Sequence, residues 1–86
     1  MKYERNERKF NMCGDRVREA REALKMKQVE LAAAMNVDYG IEITQNGVSE
    51  IERDRRHVKD FELAALSAIL EISPLQLLFG DRTNLR

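Results

Sequence analysis

Eighty-six residues, 43% hydrophobic and 35% charged, make one modest domain with a small core and a soluble surface, and leave little room for a deep catalytic cavity. Fifteen basic and fifteen acidic side chains cancel, so the basic surplus typical of nucleic-acid binders is missing and charge placement must decide. The single Cys13 excludes an internal disulfide, and no Cys/His cluster could hold a structural metal.

Met1 to Met12 mixes Lys2, Arg5, Arg8 and Lys9 with Glu4 and Glu7 around Tyr3 and Phe10, and is expected to be a flexible arm or a frayed helix; the arm is set at residues 1–13. From Asp15 to about Lys25, Val17, Ala20 and Leu24 recur at spacings of three and four opposite Arg16, Arg18, Glu19 and Glu22. That is one face of an amphipathic helix, with Asp15 as its cap or first-turn acid. A second, shorter helix is expected from about Gln28 to Met35. Val29, Leu31, Ala32 and Met35 form its apolar side, and Ala32-Ala33-Ala34 permits close approach of another backbone. Asn36 to Gly40 then reads as a break.

Thr44 is a good cap for a third helix running to about Arg53, with Val48, Ile51 and also Ile43 as candidates for its buried side. The charged loop Asp54-Arg55-Arg56-His57-Val58-Lys59 follows. A fourth helix is expected from Asp60, as cap, to Glu71, with Phe61, Ala64, Ala65, Ala68 and Ile69 in its repeating apolar positions. Ser73-Pro74 opens a fifth, holding Leu75, Leu77, Leu78 and Phe79 and stopping at Gly80. Residues 81–86 form a polar tail, and residues 14–80 make an all-α domain of five short helices.

The second and third helices carry the functional signal. The major groove of B-DNA admits one helix, which needs polar side chains outward and apolar ones inward. On the Thr44–Arg53 segment, Gln45, Asn46, Ser49 and Glu50 point away from Val48 and Ile51. Gln and Asn can bond adenine edges bidentately, and Glu can accept from the cytosine amino group. The same pattern also fits an ordinary polar helix face.

Val17-Arg18-Glu19-Ala20-Arg21, Lys27-Gln28-Val29-Glu30-Leu31-Ala32, Thr44-Gln45-Asn46-Gly47-Val48-Ser49-Glu50-Ile51-Glu52-Arg53, the run Leu63 to Leu70 and Ser73-Pro74-Leu75 stand in this order. Together they resemble the helix-turn-helix family of the lambdoid phage repressors and Cro proteins, the XRE family. The resemblance spans Arg16 to Phe79 and implies a compact, lambda-repressor-like five-helix domain. It further implies a sequence-specific regulator of transcription, a repressor, that binds double-stranded DNA. By the same resemblance Gln45, Asn46, Gly47 and Glu50 fall where family members contact base edges. Lys27, Gln28, Ser49, Arg53, Arg55 and Arg56 fall along the phosphate backbone, with Gln28 at a helix start. Arg21 and Glu52 match a partly buried structural ion pair. Lys25, Lys27, Arg53, Arg55, Arg56 and Lys59 are expected to share the DNA side, away from Asp60, Glu62 and Glu71.

Two features depart from the family pattern. The family joins these two helices by a turn of about four residues, whereas Asp38 to Ile43 reads as an insertion that lengthens it. Tyr39, Ile41 and Ile43 could fold it over the core or let it reach a phosphate, and three apolar residues favour the first. Gly47 lies inside the reading helix, at a cost of roughly 0.5–1 kcal/mol against alanine, and Asp54 stands where relatives often carry Gly.

Leu75, Leu77, Leu78 and Phe79 either complete the core or form the seam of a homodimer on DNA. The competing reading is a protein-interaction module, antitoxin-like or an adaptor, using Tyr39, Ile41 and the C-terminal Leu/Phe cluster. His57 stands alone in a charged loop and Cys13 reads as a passive thiol, so no enzyme is expected. No cofactor, metal or small-molecule ligand is expected either. The longest nearly apolar run, Leu63 to Leu70, is too short for a membrane span and contains Ser67, which with the single thiol leads to the expectation of a cytoplasmic protein.

Overall fold

Val17, Leu31, Met35, Val48, Ile51, Leu66 and Leu77 are all fully buried in one interior, and every helix among the described residues contributes at least one of them. The computed structural model describes residues 8–80. Within them the order is α1 (Gly14–Ala23), α2 (Gln28–Tyr39), α3 (Gln45–Glu52), α4 (Asp60–Leu70) and α5 (Pro74–Phe79), with no strand among the described residues.

Local chemistry starts each helix. The first N–H groups of a helix have no partner within it and must find an acceptor nearby. At α1 the acceptor is Asn11, whose Oδ1 takes bonds from the amides of Cys13 (3.1 Å) and Gly14 (2.8 Å). Asp15 serves as the first-turn acid and not as the cap. Thr44 and Ser73 cap α3 and α5 through hydroxyls that accept from Gly47 (3.1 Å) and Gln76 (3.0 Å). At α2 and α4 a glutamate in the first turn reaches back: Glu30 to the Lys27 amide at 2.7 Å, Glu62 to the Lys59 amide at 2.9 Å. Lys59 is therefore the capping position of α4, and Asp60 its first helical residue.

The expected break after Met35 is not there. The helix runs through Asn36, Val37 and Asp38 to Tyr39 and ends at Gly40, which takes the left-handed conformation at φ 65°. Asn36 stays helical because its Nδ2 donates to Ala32 O (2.7 Å) and to Ile43 O (2.8 Å), tying the returning chain to the helix. The apparent insertion thus becomes extra helix plus a short connection from Gly40 to Thr44. Ile41 and Ile43 enter the core, while Tyr39 stays about half exposed.

The inward face of α4 also differs from expectation. Ala65, Leu66 and Leu70 are buried with Ile69 and Leu63 beside them, while Phe61 is 55% exposed and Ala64 and Ala68 face out. Val29 of α2 is likewise exposed. In α5 only Leu77 is fully buried. Arg16 of α1 fastens that short helix by donating to the carbonyls of Leu77 and Leu78, both at 2.7 Å.

Residues 8–13 are not a flexible arm. Arg8 donates to the carbonyls of Asn11, Ile51 and Glu52 and pairs with Asp15 at 2.9 Å. The Asp54 carboxylate accepts from the backbone amides of Lys9 (2.6 Å), Phe10 (2.7 Å) and Asn11 (3.1 Å). The rest of the expected arm, residues 1–7, and the tail, residues 81–86, lie outside the described residues.

Candidate nucleic-acid interface

A helix with two unlike faces forms the site. On α3, Val48 and Ile51 have no exposure, while Gln45 and Asn46 lie in solvent and Ser49 and Glu50 are half-buried. Positions 45, 46, 49, 50 and 53 follow one another along one side at helical spacing. Asn46 Nδ2 donates to Glu50 Oε2 at 3.4 Å along that edge, so two of the expected base-reading groups lie side by side.

Gly47 does not belong to this edge. It is buried, and a Cβ there would sit 2.7 Å from Ile43 Cγ1. The absent side chain admits Ile43 to the core, which corrects the expectation that Gly47 faces a base or the DNA backbone.

The support behind the helix is ionic. Arg21 Nε meets Glu52 Oε2 at 2.7 Å and Arg21 Nη2 meets Oε1 at 3.0 Å, with both residues buried. Gln28 Nε2 adds a third bond to Glu52 Oε1 at 3.0 Å. The expected pair joining α1 to the end of α3 is present, and of the two groups expected at a phosphate, the Gln28 side chain or the neighbouring backbone amide, the side chain serves this pair.

Beyond α3, Arg53 and Arg55 are exposed, and Lys27 is exposed at the start of α2. Arg56 departs from expectation. Its Nη1 and Nη2 hold the Glu62 carboxylate at 3.0 and 2.8 Å, and Nη1 also donates to His57 O at 2.7 Å. These bonds with Glu62 raise the Arg56 pKa and hold Glu62 below the usual carboxylate range against the opposing effect of burial. Arg56 is a structural brace between the loop and α4, and Glu62, expected away from the basic loop, is its partner.

Three residues without a role in the expected site act here: Arg8, Asn11 and Asp54. Asn11 stands two residues before the N-cap position, Cys13, and Asp54 takes φ 59°, a glycine conformation. Burial pushes the Asp54 carboxyl up, but the amides of Lys9, Phe10 and Asn11 and the charge of Arg8 outweigh it and bring the pKa to about 2.

Cys13 is buried in the core, and burial raises its thiol to about 11, far from a nucleophile's range. Among the described residues no group of three His, Cys, Asp or Glu could hold a metal ion, and no helix is long and apolar enough to cross a membrane. Ile41 and Leu77 are core residues, so the surface expected from Tyr39, Ile41 and the C-terminal cluster does not assemble as one patch. Tyr39 instead borders a groove with Phe61.

A family model described as helix-turn-helix matches residues 17–77, from the first turn of α1 into α5. Among solved structures the chain is similar to the P22 c2 repressor protein in complex with a synthetic operator, at 32% identity and a TM-score of 0.69, over 80% of this chain and 96% of that one. No curated protein gives a significant match.

Proposed function

Since this chain belongs to the helix-turn-helix family, we propose that it is a sequence-specific DNA-binding regulator of transcription, a repressor, which lays α3 in the major groove. The observation that carries this reading is the outward edge of Gln45, Asn46 and Glu50 on a helix whose other face, Val48 and Ile51, is locked in the core. The similar P22 c2 repressor was solved on a synthetic operator, which supports the same use of the fold here. Gln45, Asn46 and Glu50 read base edges; Lys27, Ser49, Arg53 and Arg55 contact the phosphate chain. The protein acts in the cytoplasm by binding and not by catalysis. Two copies meet on the DNA through α5, where Leu75 is exposed and Leu78 and Phe79 are half-buried, while Leu77 belongs to the core.

Selection of bound duplexes from a random pool at two salt concentrations tests the proposal. The expected result is an enriched sequence with two half-sites related by a two-fold axis, retained less well at the higher salt. Failure to enrich any sequence, together with co-purification of a stoichiometric protein, would transfer the function to a protein partner.

A further inference from the structure

We propose that residues 8–11 are a positioning clamp on α3, in which Arg8 and Asn11 hold the last carbonyls of the helix and Asp54 holds the backbone of the clamp. The inference rests on the DNA-reading role of α3 given above. The final carbonyls of a helix have no partner within it. Here Ile51 O receives Arg8 Nη2 at 3.2 Å and Asn11 Nδ2 at 3.0 Å, and Glu52 O receives Arg8 Nη1 at 3.5 Å.

Asn11 is saturated. Its Nδ2 also donates to Arg56 O at 2.9 Å, and its Oδ1 accepts from Cys13, Gly14 and Arg8. One amide therefore joins the start of α1, the end of α3 and the loop beyond. Asp54 sits at φ 59°, where glycine would be free of strain, so the turn does not explain an aspartate. The three amides its carboxylate collects from Lys9, Phe10 and Asn11 do. Because α3 has only eight residues, a grip on its end bears on its tilt together with the core contacts of Val48 and Ile51 and the Arg21–Glu52 pair. Base-edge contacts tolerate far less displacement than phosphate contacts. Loosening the clamp therefore lowers specific binding and spares non-specific binding.

The test uses the full chain and two variants, Asp54→Gly and Arg8→Met. Glycine accepts the left-handed turn, so the first variant keeps its fold, verified by its melting curve. Probes are the duplex that the parent selects from a random pool and a random-sequence duplex of equal length. In Asp54→Gly the amides of Lys9, Phe10 and Asn11 should exchange about ten-fold faster. Affinity of both variants for the selected duplex should fall about ten-fold, with little loss on the random duplex. Removing a carboxylate near Arg53 and Arg55 would by charge alone strengthen binding to both duplexes, so a selective loss reports position. Unchanged amide exchange, parental affinity with the amides released, or equal loss on both duplexes would each overturn the clamp. If the parent selects no duplex, the DNA reading fails by itself. The clamp is then judged from amide exchange at Arg53 to Arg55, which quickens in both variants if the segment grips α3 and matches the parent if it does not.

Discussion

Arg56 and Glu62 face each other as a two-pronged ion pair, at 3.0 and 2.8 Å, that ties the loop after α3 to the first turn of α4. The Glu62 side chain is 4% exposed and the Arg56 side chain 25%, so the acid depends on the base for its solvation. Arg56→Ala leaves Glu62 with the Lys59 amide alone and should cost roughly 1.5–3 kcal/mol, the range for hydrogen bonds to charged groups. A lowered urea midpoint with an unchanged slope checks this, and the salt dependence of DNA binding should stay as in the parent.

Arg53 should behave in the opposite way. It is exposed at the C-terminal cap of α3, and no ion pair among the described residues engages it. Arg53→Ala should leave the urea midpoint in place. On DNA it should weaken binding across all sequences and reduce the slope of log affinity against log salt by about one. Anisotropy titrations over a range of salt concentrations measure both effects, and an unchanged slope would remove Arg53 from the phosphate contacts.

These two arginines mark what a sequence can disclose. The helices, the Thr44 and Ser73 caps and the Arg21–Glu52 pair were legible because capping chemistry, helical spacing and motif order are local or ordered signals. The partner of Arg56 was not, because a charged loop reads alike whether its cations face solvent or a buried acid six residues on. Asn36 misled for a related reason: Asn disfavours helix interiors unless its amide finds carbonyls, and Ile43 O is supplied by the fold. Gly47 invited a contact with DNA because periodicity cannot say that Ile43 would occupy the place of a side chain there. Arg8 and Asn11 lie 40 or more residues from Ile51 and Asp54 in sequence, so their network exists only once α1 and α3 have packed.

The Arg21–Glu52 pair should follow the rule for buried ion pairs. Their side chains are 10% and 2% exposed. Arg21→Ala would leave Glu52 with Gln28 as its remaining side-chain partner and should cost about 3–5 kcal/mol. The joint replacement Arg21→Met with Glu52→Leu removes both charges and should lose far less. Chemical denaturation of the two singles and the double forms a cycle, and additive costs would contradict a coupled pair.

Acid stability should report Asp54. Its folded pKa of about 2 lies below the ordinary aspartate value of 3.8, so the unfolded chain binds the proton more readily. Stability from this group is therefore complete above about pH 4 and is lost as pH falls toward 2. Asp54→Asn should lower stability at neutral pH, and its deficit relative to the parent should shrink across that window. Denaturation midpoints at several pH values from 7 to 2 give the comparison, and a deficit independent of pH would assign the effect to geometry alone.

Gly14 tests how tightly α1 approaches α3. A Cβ at this position would overlap both the Ile51 carbonyl oxygen and the Arg8 guanidinium. Arg8 can swing aside, but Ile51 O is backbone and already accepts from Asn11 Nδ2, so the helices must move apart. At the first position of α1 alanine would otherwise gain at most the roughly 0.5–1 kcal/mol it holds over glycine in a helix interior. The overlap should outweigh that gain, and Gly14→Ala should be destabilising by about 1–3 kcal/mol, as overpacked cores are. Because the strain falls on the same carbonyl that Arg8 and Asn11 grip, the amides of Lys9, Phe10 and Asn11 should lose exchange protection as the midpoint drops. A Gly14→Ala variant as stable as the parent would mean that α1 and α3 are not held at this distance.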